Sequence, residues 1–400
     1  MKRRTPPALV TLILLTGVST LSLNMFLPSL ANIAQDLDAP YAVVSLSVAG
    51  YLGLTAVIQL IIGPLSDRIG RRPVLLMSLA VFTLASIACA LATQIWVFLA
   101  CRMLQGGIVA GYALSLAIVR DTRPEREAAG LIGYISMTMA IAPMLGPMLG
   151  GVLDSWFGWR AAFWVYAIAG IGLFALCWID LGETRSLASQ RIDTDRPRLR
   201  ALLRERLFWL YALCSAFSTG AFYVFLSGAP LVAQVQFGVG TAEIGFWLGS
   251  ITAGFVFGSF FSSRFAPRNA PLTMMITGRI VACLGLLAGI GVTALDAITP
   301  ALFFGSTVFV GIGNGITMPS SNAAAMSVRP DMAGSAAGLN GALVVATGAL
   351  LTTFAGITLP AEAPGLTLLW LMFGSSAAGL FAVLIAMKLR RKRPNMTERH

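Results

Sequence analysis

Four hundred residues with 57% hydrophobic and only 11% charged side chains exclude a soluble globular chain, which carries about a quarter charged residues. A net charge of +11 does not point to nucleic acid here, because the basic residues lie in short segments between apolar runs. The single histidine is the last residue, His400, and the five cysteines (Cys89, Cys101, Cys177, Cys214 and Cys283) lack metal-ligand spacing, so neither a metal site nor a cofactor is expected.

In chain order, Lys2-Arg3-Arg4 imitates the start of a secretory signal. The apolar run 8–30 that follows is too long for a signal core and lacks a small-residue cleavage site, so it reads as a first membrane span. Apolar stretches of about 20 residues then predict twelve spans. The first six are 8–30, 43–63, 74–92, 96–119, 128–153 and 160–180; the second six are 207–231, 241–263, 272–294, 299–323, 334–358 and 365–387.

The loop between the second and third spans is Gly63-Pro64-Leu65-Ser66-Asp67-Arg68-Ile69-Gly70-Arg71-Arg72-Pro73. Basic residues alone would mark any cytoplasmic loop. They do not account for the two glycines, or for a carboxylate, Asp67, set among Arg68, Arg71 and Arg72, where charge pairing outside bulk water is strong. The order G-x-L-x-D-R-x-G-R-R resembles the loop 2–3 signature of the major facilitator superfamily of secondary transporters. The resemblance implies two six-helix bundles around a midplane site that rock to give alternating access. It also implies a gate in which Asp67 and Arg71 latch the cytoplasmic helix ends, together with Asp121 and the start of the eleventh helix near Ser335.

All but three of the 28 arginines and lysines lie at the termini or in the even-to-odd loops; the exceptions are Arg160, Arg102 and Arg279. By the positive-inside rule both termini are cytoplasmic. The one long loop, 181–206, divides the chain into bundles 1–183 and 207–400 joined by a basic linker, 184–206. Its end, Arg198-Leu199-Arg200-Ala201-Leu202-Leu203-Arg204, suits either a basic helix on the anionic inner leaflet or a solvated linker. Ser263-Arg264-Phe265-Ala266-Pro267-Arg268 aligns without gaps with the segment from Asp67 to Arg72, as a weak internal repeat.

Arg102 lies about 9 Å into the fourth span. An arginine there costs about 3 kcal/mol on the insertion scale and should face the bundle interior with a partner. Arg102-Met103-Leu104-Gln105-Gly106 matches the superfamily's fourth-helix R-x-x-Q-G pattern, in which the arginine is tied to proton coupling. Arg279 has no motif around it and stands on a helix that is peripheral in the superfamily, so it is expected to snorkel to the cytoplasm. The fifth span carries Pro143 and then Gly146-Pro147-Met148-Leu149-Gly150-Gly151, a kinked, close-packing order that resembles the superfamily's antiporter signature, with Ala142 at the usual upstream glycine.

In the first span Asn24-Met25-Phe26-Leu27-Pro28 resembles the D-x-Y-L-P segment of the bicyclomycin/chloramphenicol-resistance branch of drug:proton antiporters, with Asn24 replacing the acid. An asparagine cannot bind and release a proton. None of the seventeen acids lies near mid-membrane; Asp154, Asp180 and Glu243 sit at span ends, so protons must use an end-of-span acid such as Glu243 or Asp154, or the protein is not proton-coupled. If Asn24 and Arg102 are neighbours, as the family implies, their side chains meet. Further interior candidates are Tyr51, Gln59, Tyr112, Tyr134, Phe222, Tyr223, Asn314, Asn322 and Asn340. With 16 methionines they suit an apolar, adaptable cavity.

The expectation is an all-α membrane protein of twelve helices in the inner membrane, monomeric, with no nucleic-acid partner and no nucleophile–base pair of an enzyme. It would export small hydrophobic compounds against protons. A metabolite importer, a uniporter or a sensor on the same fold are the alternatives.

Overall fold

The computed structural model describes residues 7–122, 125–183, 201–295, 298–329, 332–360 and 362–391. Among them eleven helices are long and apolar enough to cross a membrane, and Glu125–Phe157 is a twelfth long helix. Large apolar side chains such as Leu84, Ile179, Phe260 and Leu350 remain exposed on their outer faces, as a chain solvated by lipid requires.

The first span is not one helix. Leu9–Asn24 ends, a 3₁₀ turn Leu27–Ser29 follows, and Leu30–Asp36 resumes. Pro28 explains the break, because it lacks the N–H that the Asn24 carbonyl would accept and its ring crowds that carbonyl. At the other end Asp180 of the sixth span (Arg160–Asp180) accepts the Ala8 N–H at 2.9 Å and the Thr11 hydroxyl at 2.6 Å. A carboxylate there satisfies free amides of the first turn and complements the helix dipole.

The second helix, Tyr41–Ile69, runs straight through Gly63 and Pro64, so the loop expected at 63–73 contracts to one residue before the third helix, Arg71–Leu91. That residue is Gly70, with φ of +113°, a backbone region closed to side-chain-bearing residues. The fourth span is broken as the first is, into Ile95–Gln105, a 3₁₀ turn Gly106–Ile108 and Val109–Thr122. The break comes where a Cβ on Gly106 would stand 3.3 Å from the Tyr51 carbonyl oxygen. Glu125–Phe157 continues as one helix through Pro143 and Pro147.

In the second half the spans are Arg206–Leu231 with a π-helical turn Val232–Gln236, then Thr241–Phe265, Pro271–Ala294, Pro300–Ser327, Ala333–Thr358 and Pro364–Arg391. By contacts the chain forms two compact units. One is Met1–Asp193 with Pro230–Gly249; the other is Thr194–Ala229 with Ser250–His400. In the first, Phe98, Trp159, Phe163 and Tyr166 stack edge to face with centroids 5.4–5.8 Å apart. In the second, Leu202 is buried against Phe208, Tyr211 and Met275, while the expected basic helix residues 198–200 lie outside the described residues.

Candidate functional site

Arg102 is wholly buried on the fourth span. Its Nη1 donates to Gln105 Oε1 at 2.7 Å, and Nη2 donates to the Ser22 carbonyl at 2.6 Å, in the last turn before the break in the first span. Gln105 in turn donates to Ser86 Oγ of the third span at 2.7 Å. The guanidinium lies over the rings of Phe26 (4.1 Å) and Tyr51 (4.4 Å), and the Tyr51 hydroxyl is 2.6 Å from Ser22 Oγ. Four spans therefore hold one cation with a carbonyl, an amide and two aromatic faces, and among the described residues no carboxylate pairs with it. Tyr51, a cavity candidate from sequence, is part of this cage.

Asn24 does not join it. Its Nδ2 donates to the Thr20 carbonyl at 2.7 Å, and its buried Oδ1 has no hydrogen-bond partner. The proposed meeting of Asn24 with Arg102 is thus replaced by a bond from Arg102 to backbone two residues earlier. The break at Pro28 ends the helix at Asn24, so the Ser22 carbonyl lies in a last turn where acceptors are least committed to the helix.

The Gly146-Pro147-Met148-Leu149-Gly150-Gly151 helix packs directly on this end of the first span. A Cβ on Gly146 would stand 3.0 Å from the Asn24 Cβ, and one on Gly150 would overlap the Met25 carbonyl oxygen. A Cβ on Gly151 would strike the Thr241 carbonyl, and one on Gly245 would strike the Pro147 carbonyl. These glycines allow backbones to touch, the small-residue route to helix association in lipid.

One turn beyond Gly151, Asp154 is buried, the only such acid among the described residues. Asn32 Nδ2 donates to its Oδ2 at 2.7 Å, and Gln234 Nε2 reaches Asn32 Oδ1 at 3.4 Å. The hydroxyls of Ser29 and Thr241 also face the carboxylate, and none of these neighbours is charged. From sequence Asp154 is only an acid at a span end; its burial comes from the small residues preceding it, which draw the fifth helix against the first. The neighbouring Asp36 is exposed and paired with Arg160 at 2.5 Å.

Arg279 corrects the expectation of snorkelling. It is wholly buried, with Nε donating to Thr317 Oγ1 at 3.1 Å and Nη2 to Asn314 Oδ1 at 2.6 Å. Gly278, Gly285 and Gly289 on its helix let the tenth span approach to backbone contact, so Asn314 and Thr317 come within reach of the guanidinium. Gly379 of the last span lies over the stem, at 3.4 Å from Arg279 Cδ to a Cβ placed there. A packed stem cannot extend to the surface. Asn314, taken from sequence as a cavity residue, is this arginine's partner. A polar chain continues in the same unit: Ser215 Oγ lies 2.6 Å from Ser321 Oγ, and Asn340 donates to Asn322 Oδ1 at 2.9 Å while its own buried Oδ1 is unpaired.

At the Gly70 turn, the Arg71 N–H donates to Glu183 Oε1 at 3.0 Å and the Arg71 guanidinium bonds Ser66. Arg72 donates to the Trp178 carbonyl at 2.8 Å and lies over that ring. The signature arginines thus tie the second and third helices to the end of the sixth, a role for Glu183 that nothing in its sequence context signals. The side chains of Asp67 and Asp121 and the surroundings of Gly63 lie outside what is described; Arg68 is exposed. Tyr134 is exposed and lines a pocket of about 330 Å³ with Pro7, Leu12 and Leu131. Tyr112 and Gln59 are half-buried, and Phe222 and Tyr223 sit ring to ring at 5.8 Å.

A family model described as Major Facilitator Superfamily matches residues 12–353. The chain is 33% identical over 301 residues to the chloramphenicol resistance protein of Pseudomonas aeruginosa, covering 74% of this chain and 71% of the relative. It is 32% identical over 320 residues to the multidrug resistance protein MdtL of Escherichia coli O157:H7, covering 79% and 81%. Among solved structures, a D-xylose-proton symporter superposes with a TM-score of 0.77 over 95% of this chain and 96% of that one, at 15% identity. That likeness shows the fold, twelve helices in two six-helix bundles.

Proposed function

Because this chain belongs to the major facilitator superfamily, and so is a multi-pass membrane transporter and not an enzyme, we propose that it exports small hydrophobic compounds by proton antiport with alternating access. The observation that carries this reading is the helix with Gly146, Pro147, Gly150 and Gly151 set backbone to backbone against the first span at Asn24 and Met25. Relatives named for chloramphenicol and multidrug resistance support export. The symporter likeness carries no substrate argument at its identity. The chain would lie in the inner membrane as a monomer with both termini cytoplasmic, following its arginine and lysine distribution. Asn24 holds no exchangeable charge, which leaves the buried Asp154 as the proton carrier of choice.

Expression in a bacterial host without its own pumps should lower the accumulation of chloramphenicol or another hydrophobic antibiotic. Unchanged accumulation across a broad panel, together with uptake of a metabolite, would favour an importer. The gate gives a separate expectation. Asp67→Asn, which removes the signature's only carboxylate, should slow turnover while leaving expression and ligand binding near parental, as measured by transport rate against binding on the same preparation. Parental turnover by that variant would remove Asp67 from the gate.

A further inference from the structure

The pocket that Tyr134 lines lies wholly within the first unit. It forms where the start of the first span, the last turn of the fourth and the start of the fifth meet. Its volume of about 330 Å³ falls within the range of small-molecule sites. Leu12 and Val119 line it as buried side chains, whereas Glu127 and Tyr134 line it and remain exposed. The depth is therefore apolar, and the carboxylate and the aromatic ring stand at the rim. Glu127, Leu131 and Tyr134 recur at i, i+4 and i+7, which makes them one stripe of the fifth helix. Seven residues separate carboxylate and ring by about 10 Å along the axis, the length of a one-ring compound with a polar tail.

Two of the three polar side chains in this lining only accept. Thr122 commits its hydroxyl proton to the Ile118 carbonyl at 2.6 Å, which leaves its lone pairs. Glu127 is the one charged side chain of the lining, and a carboxylate has about four acceptor sites, enough to serve a ligand beside a protein partner. Resting on the export reading, we propose that this pocket is a capture site for exported compounds that carry an apolar ring and hydroxyl or amide donors. Tyr134 lies against the ring, and Glu127 accepts from the donors. On the orientation proposed above, the pocket opens at the cytoplasmic ends of its spans, the side from which an exporter collects. It precedes the midplane site that alternating access requires.

The test measures equilibrium binding and efflux from proteoliposomes with the same purified full-length protein. One probe is chloramphenicol. The other is a derivative acetylated at both hydroxyls and methylated at the amide nitrogen, which keeps the ring and has no donor. Tyr134→Ala should weaken binding of both probes about three- to tenfold and raise KM alike, with the maximal rate unchanged. Glu127→Gln should weaken chloramphenicol about fivefold and leave the derivative at the parental value. Both side chains are exposed, so neither substitution opens a cavity in the core. Export with parental binding and KM in both variants overturns the inference and leaves export standing. A Glu127→Gln effect of equal size on the two probes, or a fall in maximal rate alone, also overturns it. If the variants weaken binding as expected but the parent exports neither probe, the export reading falls and the binding site stands. Binding of neither probe by the parent removes the site.

Discussion

Asp154→Asn is expected to abolish efflux driven by an imposed proton gradient, by about a hundredfold or to background, while counterflow of unlabelled against labelled substrate persists. The substitution is nearly isosteric. A carboxamide oxygen still accepts from Asn32 Nδ2, so the contact between the first and fifth spans is retained. What is lost is the capacity to bind and release a proton in the one buried acid described. Exchange requires no net proton movement and therefore separates loss of coupling from loss of fold. Gradient-driven efflux at the parental rate would assign the proton to another group, with Glu243 the next to examine.

Gly150→Ala is expected to be the most damaging single methyl in the first unit. A Cβ there falls on the Met25 carbonyl oxygen, which is backbone and cannot rotate away. Overpacking of this kind costs about 1–3 kcal/mol or more, and here it must push the fifth helix away from first-span backbone that it reaches only because Gly150 is bare. The variant should lose several degrees of thermal stability in detergent and most of its transport. Gly172→Ala, on the sixth span with open space around it, is the matched control. Equal stability of the two variants would contradict the backbone contact.

Much of the fold was legible because lipid imposes a simple rule. Spans must be apolar and about 20 residues long, so composition alone separated twelve of them. The break in the first span was implicit in Pro28, and the turn at Gly70 in the only residue type that tolerates its φ. The two arginines show where legibility ended. The same energetic cost applies to both, yet only Arg102 carries a motif, and Arg279 was assigned to the surface. Its burial depends on glycines of one helix meeting Asn314 and Thr317 of the next, a pairing between helices that no single-helix pattern records. Asp154 was legible as an end-of-span acid open to protons, but its burial was not, because that comes from Gly146 and Gly150 packed against the first span and not from its distance along its own helix. Tyr51 and Asn314 were recognised as interior but given to a ligand, when each instead serves a buried guanidinium.

The most direct test of proton-coupled export is efflux of chloramphenicol from proteoliposomes containing the purified protein, with and without an imposed proton gradient. The account predicts efflux that accelerates about tenfold or more when the gradient is imposed and is matched by proton entry. Equal rates with and without the gradient, or substrate and protons moving in the same direction, would contradict it.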